Sequence, residues 1–301
     1  MRMVATTDSL GAEADRHGIP LDARPKGRRH VGRWIAGVLV VALVAVIGVV
    51  FARSEIKWSE VPHYVVSSDL LNGVVGTLKL TLATMVLGIV LGTLIAVARQ
   101  SANPLLRTVG TAYVWLFRGV PALVQLLLWF NIALVLPRID LGPVYSGQTN
   151  QLMTPFVAAL LGLGLSEAAY MAEIVRSGIL SVPHGQVEAA KSMGMNNAMT
   201  MRRVVLPQAI PVIIPPTGNE FINMLKYTSL AFAVSYSDLL SQAQRIYTSN
   251  FEVMEVLLSA TVWYLVLCTV CSLIQARIEK YFAAGASVSA RARAKLEQGT
   301  I

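Results

Sequence analysis

Charge is scarce in this chain. Asp, Glu, Lys and Arg make up 14% of its 301 residues, while 54% are apolar and the mean hydropathy is +0.58. Ordinary soluble domains carry about 25% charged residues, so a single soluble domain is excluded and lipid must be part of the solvent. Cysteine is nearly absent: Cys268 and Cys271 stand alone, spaced C-x-x-C inside the last apolar run. One pair excludes a disulfide framework, and without His or further Cys beside it a zinc site is incomplete. Two small apolar residues on one helical face is the simpler reading, and no metal is expected. The four histidines, His17, His30, His63 and His184, are scattered through tails and loops and form no constellation. No G-x-x-x-x-G-K-[ST] phosphate loop occurs, so the chain is expected to bind neither ATP nor any cofactor itself.

Long apolar runs are what the sequence has in quantity. A spanning helix needs roughly 20 mostly apolar residues, and 34–52, 80–98, 151–166 and 256–276 each run without a charge. Two further stretches are less clean. Residues 109–136 are interrupted only by Arg118, whereas 204–237 carry Pro207, Pro211, Pro215, Pro216, Glu220 and Lys226. Both count as spans, the second as a broken helix, because proline removes helix hydrogen bonds and freed backbone is tolerated in a membrane only against protein or water. The fold expected is an all-α integral membrane protein of about six transmembrane helices.

Six spans place both termini on one side, and Lys and Arg show which. Seven lie in the tail up to Arg33, five lie from Arg277 onward, and Arg99, Arg107, Arg176, Lys191, Arg202 and Arg203 fall in loops on the same side. The opposite side holds Arg53, Lys57, Arg138 and Arg245. The bias of basic residues toward the cytoplasm therefore puts both termini inside. It also accounts for the net charge of +8 without nucleic acid, whose binders cluster Lys and Arg with aromatics on a soluble module. The first apolar run follows a polar lead of about thirty residues and ends in Phe51-Ala52-Arg53-Ser54, which offers no small-x-small cleavage site. It is read as a retained anchor. The tails before Arg33 and after 282 lack apolar periodicity and are expected to be irregular or to lie on the lipid surface.

The loop between the fourth and fifth spans falls in the cytoplasm on this count. Pro183 and Gly185 are expected to break the preceding helix, and Glu188 to occupy the first turn of a short new one, near its positive dipole end. Ala189 and Ala190 offer a low-relief face, Gly194 ends the helix, and Asn196 or Asn197 caps the next segment. By local physics alone this is either a docking element for a soluble partner or an amphipathic helix resting in the lipid interface.

The wider pattern resembles one family. The E-A-A-x3-G-x9-V-x-L-P arrangement of Glu188, Ala189, Ala190, Gly194, Val204, Leu206 and Pro207 is similar to the cytoplasmic loop by which bacterial ABC importer permeases hold their ATPases. The run from Ala169 to Ile179 (A-Y-M-A-E-I-V-R-S-G-I) and that from Ser181 to Ala190 (S-V-P-H-G-Q-V-E-A-A) resemble the signature of polar amino acid importer permeases. So do Arg118-Gly119-Val120-Pro121 with Val124-Gln125, Leu206-Pro207-Gln208-Ala209, Gly218-Asn219-Glu220, and Lys226 with Thr228-Ser229-Leu230. The likeness covers roughly residues 71–281. It departs at Tyr227, where an acidic residue is frequent, at Val120, where a small polar residue is usual, and at His184, where Lys is common.

The resemblance implies a type I importer core of five helices in 71–281 with a coupling loop at 181–204. An extra N-terminal helix at 34–52, an extracytoplasmic segment at 53–70, and basic cytoplasmic tails at 1–33 and 282–301 complete the chain. It implies two ATPase subunits carrying ATP and magnesium, a second permease copy or paralogue, and an extracytoplasmic amino-acid-binding protein, all at a bacterial inner membrane. This chain would then be a transport subunit and no enzyme. Gly185, Glu188, Ala189, Ala190, Ser192, Met193, Gly194, Leu206 and Pro207 would form the ATPase-coupling interface.

Polar groups at membrane depth are costly and face a cavity or partner. Gln125, Glu167, Asn219, Glu220 and Lys226 are accordingly the candidates for the solute pathway. At about 1.5 Å per residue, Arg118 and Glu173 each lie roughly 10 to 14 Å from their cytoplasmic ends, and they are expected to pair structurally. Two alternatives stand beside the importer: an ATP-independent secondary transporter of small zwitterions, and a membrane scaffold or sensor whose loop recruits another soluble protein. Cystine, an opine or ectoine are alternative solutes.

Overall fold

The computed structural model describes residues 31–140, 142 and 146–298, and every long apolar run in that range is helical. The chain divides at Ile56 and Lys57 into two units. The first contains α1 (Val31–Ala52), 22 residues long and so about 33 Å, enough to cross a bilayer. The basic tail before it lies outside the described residues.

The second unit begins with α2 (Glu60–Val65) and α3 (Ser68–Arg99). It continues through α4 (Pro104–Gly119), α5 (Ala122–Phe130), a two-stranded hairpin of β1 (Arg138–Asp140) and β2 (Ser146–Gln148), and the short α6 (Thr149–Leu152). Next come α7 (Pro155–Leu180), α8 (His184–Ser192), α9 (Asn197–Thr200), α10 (Leu206–Tyr227), α11 (Leu239–Asn250) and α12 (Val253–Gln298). Among the described residues, four helices are long and apolar enough to cross a membrane: α1, α3, α7 and α12 as far as Phe282. The pair α4 and α5, bent by 100°, makes a fifth. α10 is 22 residues long, but its prolines, Thr217, Asn219 and Glu220 leave it less apolar than these.

The breaks fall where the sequence reading did not put them. The run 109–136, expected to be one span, bends at Val120, whose backbone is extended (φ −101°, ψ 129°). Pro121 clashes with a helical residue before it and forces that conformation. By contrast 204–237, expected to be broken, is unbroken across its prolines, a continuous helix from Leu206 to Tyr227 with Pro211, Pro215 and Pro216 inside it, and gives way only beyond them to a 3-10 segment over Thr228–Val234. Pro207, Pro211 and Pro215 are spaced four apart, so their defects fall along one face and the helix runs on through them. Carbonyls along this stretch accept from side chains: Val204 O from Gln208 Nε2 at 2.9 Å, Ile213 O from Thr217 Oγ1 at 2.8 Å, and Pro215 O from Gln275 Nε2 of α12 at 3.2 Å. A π-helical turn over Met201–Val205 widens the helix just before Pro207. The C-terminal tail, expected to be irregular, continues α12 to Gln298. Its alanines, the strongest helix formers, explain why.

The packing of the second unit centres on α3 against α7. In lipid no hydrophobic drive brings helices together, so close approach rests on small residues. Gly88 and Gly92 of α3 meet Glu167, Ala168 and Met171 of α7, and a Cβ on Gly92 would lie 2.6 Å from that of Met171. Leu80, Met85, Leu126, Leu163 and Met224 continue the core into α5 and α10. At the other end of α3, Thr77 Oγ1 accepts from Leu239 N–H (3.1 Å) and Tyr236 donates to Gly76 O (3.0 Å). Asp238 caps α11 by accepting from the Leu240 and Ser241 amides. The segment before α3 is strapped to α12: Trp263 Nε1 donates to Val65 O (2.8 Å), Ser259 Oγ to Val61 O (2.9 Å), and Lys57 pairs with Glu252 at 2.7 Å.

Candidate functional site

Two places in the second unit gather the residues that the sequence singled out. The first is α8. It starts at His184, directly after Pro183, so Gly185 lies inside the helix rather than ending the one before it. Glu188 is consequently in the second turn and gains little from the helix dipole, contrary to the sequence reading. Gly194 adopts φ +83°, which only glycine takes without strain. There the Gly194 N–H donates to Lys191 O (2.9 Å) and Met195 N–H to Ala190 O (3.1 Å), closing the helix with both bonds of a Schellman motif. Asn196 accepts from Met199 N–H at 2.9 Å and starts α9.

This locked helix has two faces. Gly185, Glu188, Ala189, Ser192 and Met193 are exposed and stand at i, i+3, i+4, i+7 and i+8, one continuous stripe of low relief ending in a methionine that is 79% exposed. Ala190 points the other way and is buried, while Val187 packs against Val182, Val205 and Ala209. Leu206 and Pro207 do not share the stripe: Leu206 lines an apolar groove between α3, α7, α10 and α12, to which Cys271 also contributes. Cys268 and Cys271 are half-buried and unbridged.

The second place is a cavity of about 520 Å³ bounded by the α4–α5 bend, α7 and α10. Glu167 and Glu220 both line it, together with Arg118, Tyr170, Asn223 and Tyr227. Glu167 is 3% exposed and its Oε1 has no hydrogen-bond partner among the described residues. A buried carboxyl oxygen left without a donor is costly unless a proton or a cation satisfies the group. The Arg118 guanidinium sits 5.0 Å from the centroid of the Tyr170 ring, a cation–π distance.

The other three pathway candidates are placed elsewhere. Gln125 is buried, but its Nε2 donates to Phe117 O and Val120 O, each at 2.9 Å, and so satisfies carbonyls that the α4–α5 bend frees. Asn219 and Lys226 are exposed on a different face of α10 from Glu220 and line no part of the cavity. Asn223 and Tyr227, which do line it, follow Glu220 at i+3 and i+7. A helical projection of α10 would have found them.

The expected Arg118–Glu173 pair is present only at 4.0 Å. Glu173 is held instead by Arg99 at the end of α3 (2.6 Å) and by Arg176 one turn on (2.8 Å). Gly110 of α4 leaves room for the Arg99 stem, since a Cβ there would lie 2.7 Å from Arg99 Cγ. Nothing in the spacing of Arg99 and Glu173 along the chain signals their contact, which the α3–α7 crossing creates. Arg176, at i+3, was legible.

Comparison with known proteins agrees with this architecture. The family model described as binding-protein-dependent transport system inner membrane component matches residues 88–283. The arginine transport system permease protein ArgU of Corynebacterium glutamicum is 44% identical over 276 residues, spanning 91% of this chain and 87% of that protein. The L-cystine transport system permease protein TcyB of Bacillus subtilis is 37% identical over 212 residues, 70% of this chain and 85% of its own. The crystal structure of an amino acid ABC transporter with histidines aligns with a TM-score of 0.62 at 34% identity, covering 71% of this chain and 94% of that one. Matched over well more than half its length, with a glycine-closed helix and a polar cavity among its helices, this multi-pass membrane chain belongs to the family of binding-protein-dependent transport system inner membrane components.

Proposed function

We propose that this chain is the permease subunit of an ATP-driven importer, that its solute is an amino acid with a cationic side chain, and that arginine is the first to test. It works at a bacterial inner membrane with both termini cytoplasmic, beside a second permease copy or paralogue. Two ATPase subunits engage the exposed stripe of α8, and an extracytoplasmic binding protein delivers the solute. Closure of the ATPases on ATP moves α8 as a rigid lever, because the Schellman closure and the Val187 and Ala190 packing tie it to the ends of α7 and α10. Hydrolysis stays on the partner. The permease supplies the path and no catalysis.

The observation that carries the choice of solute is the cavity that two acidic residues, Glu167 and Glu220, line together with one guanidinium-bearing residue, Arg118. Opposed charges of this kind match a zwitterionic head group, and the second carboxylate matches a further cation. The name of the arginine relative supports the same class, and that of the cystine relative supports an amino acid more generally. The test is reconstitution in liposomes with the partner ATPase and binding protein, following labelled arginine, cystine and glutamine with and without internal ATP. Arginine uptake that requires ATP and the binding protein supports the reading, with Glu220→Gln expected to raise the KM for arginine about tenfold, the factor of one charged hydrogen bond. Uptake confined to cystine or glutamine would refute the cationic solute, and uptake without ATP would refute the importer.

A further inference from the structure

One contact inside the Glu167 cavity already has the chemistry of a ligand site. The Arg118 guanidinium lies 5.0 Å from the centroid of the Tyr170 ring, and both residues line the cavity. A charge at the α4–α5 bend thus rests on a ring carried by α7, within cation–π range.

Arg118 is the loosely held member. A guanidinium carries five N–H donors, yet the nearest carboxylate among the described residues is Glu173 at 4.0 Å. That carboxylate is already taken by Arg99 at 2.6 Å and Arg176 at 2.8 Å. The Arg118 side chain is 44% exposed, and it stands at the end of α4 beside Gly119, where a Cβ would meet nothing within 4 Å. It has room to swing. Tyr170 is the fixed member. It follows Glu167 by one turn on the same face of α7, and Ala168, Ala169 and Ala172 around it are buried against Ile95 of α3 and Val114 of α4. The backbone beneath the ring is therefore packed, while Tyr170 itself is 39% exposed. An open ring on a packed helix, matched already to one guanidinium, can accept another. The planar, delocalised guanidinium stacks on an aromatic face in a way that a compact, strongly hydrated ammonium does not.

We propose that Tyr170 is the specificity-determining residue of this cavity: its ring seats the side-chain guanidinium of the solute, and Arg118 keeps that place until the solute enters, then turns to the solute's α-carboxylate. The inference rests on the cationic solute proposed above. Glu167 and Glu220 draw cations in without regard to shape. The ring selects the planar one.

The test is equilibrium binding of labelled arginine to the permease–ATPase complex in nanodiscs, without the binding protein, so that the permease's own affinity is read. Lysine, citrulline and agmatine serve as competitors: citrulline keeps the shape of arginine without its charge, and agmatine keeps the guanidinium without the carboxylate. Tyr170→Leu is expected to weaken arginine about fivefold, the factor of one exposed cation–π contact, to leave citrulline unchanged, and to erase the preference for arginine over lysine. Tyr170→Phe, which keeps the ring, should behave as the parent does. Arg118→Ala should move two ligands in opposite directions, weakening arginine while tightening agmatine about fivefold, because the ring loses its occupant and the carboxylate its partner. A folding defect cannot produce opposed shifts. Arginine affinity unchanged in Tyr170→Leu overturns the proposal, and so does agmatine affinity unchanged or weakened in Arg118→Ala. A parent complex that binds no arginine while ATP-dependent arginine uptake persists overturns the Tyr170 seat alone, whereas absence of both overturns the cationic-solute reading with it.

Discussion

Removing the charge of Glu173 tests whether the ion cluster at the end of α3 and α7 is organised as described. Glu173 accepts from Arg99 at 2.6 Å and from Arg176 at 2.8–2.9 Å, and the side chains of Glu173 and Arg99 are 24% and 15% exposed. Breaking a fully buried pair costs about 3–5 kcal/mol, whereas an exposed pair contributes up to about 1 kcal/mol. This cluster lies between those limits, so Glu173→Gln is expected to cost about 2 kcal/mol. At roughly 2–4 °C per kcal/mol for a chain of this size, the melting temperature falls by roughly 4–8 °C. Arg99→Ala leaves Glu173 with Arg176 and should cost about half as much. Arg118→Ala should change stability by less than about 1 kcal/mol, because its contact with Glu173 is 4.0 Å long, its side chain is 44% exposed and its remaining partner is the Tyr170 ring. Thermal unfolding in detergent, read by a thiol-reactive fluorophore that reports exposure of Cys268 and Cys271, gives all three values. An Arg118→Ala variant as unstable as Glu173→Gln, or a Glu173→Gln variant as stable as the parent, would refute the assignment.

Gly194→Val places a β-branched side chain at φ +83°, costing about 1–2 kcal/mol locally. In the reconstituted importer, uptake per ATP hydrolysed should fall while the fold, read by melting, persists. Gly92→Leu forces a Cβ to within 2.6 Å of the Met171 Cβ and 2.7 Å of Ala168 O, and the α3–α7 contact should lose about 3 kcal/mol or more, seen as a lower melting temperature and poor yield. At the Lys57–Glu252 strap, hydrogen bonds from Lys57 and then Tyr64 hold the Glu252 carboxyl below its usual range, and the same Glu252 contact raises Lys57. A lowered carboxyl stabilises above its unfolded value near pH ~4.3 and loses that contribution as pH falls through the folded value; a raised lysine does so below about 10.4 and loses it as pH rises. The melting gap between the parent and Glu252→Gln should therefore be open at neutral pH and close in acid, which melting curves at both pH values will show.

Sequence reasoning reached some elements and missed others for identifiable reasons. The apolar runs and the Gly194 stop were legible because each depends on nearest neighbours along one chain. Glu167 and Glu220 stood out because a charge at membrane depth needs a reason. Gln125 met the same criterion, and its amide nitrogen turns back on the carbonyls of its own bend while its buried Oε1 has no partner among the described residues, an arrangement that composition cannot foretell. Asn219 and Lys226 were chosen by depth without regard to azimuth, and they fall on a different face of α10 from Glu220. The α4–α5 bend and the continuity of α10 were reversed in expectation because counting prolines ignores register. One proline after an extended residue ends a helix, while several at a spacing of four leave this one continuous.

What the sequence by itself determined is therefore local and solvent-driven: that the chain lives in lipid, which segments are helical, which side its basic loops favour, and that the 181–204 loop carries a glycine-closed helix. The tertiary structure alone decided which distant groups meet. It gave Glu173 to Arg99 across 74 positions of sequence, gathered Glu167 and Glu220 with Arg118 in one cavity, and turned Ala190 inward and Met193 outward on α8. Periodicity dictates the face of a helix, but only the close approach of α3 and α7 through Gly88 and Gly92 sets what that face touches.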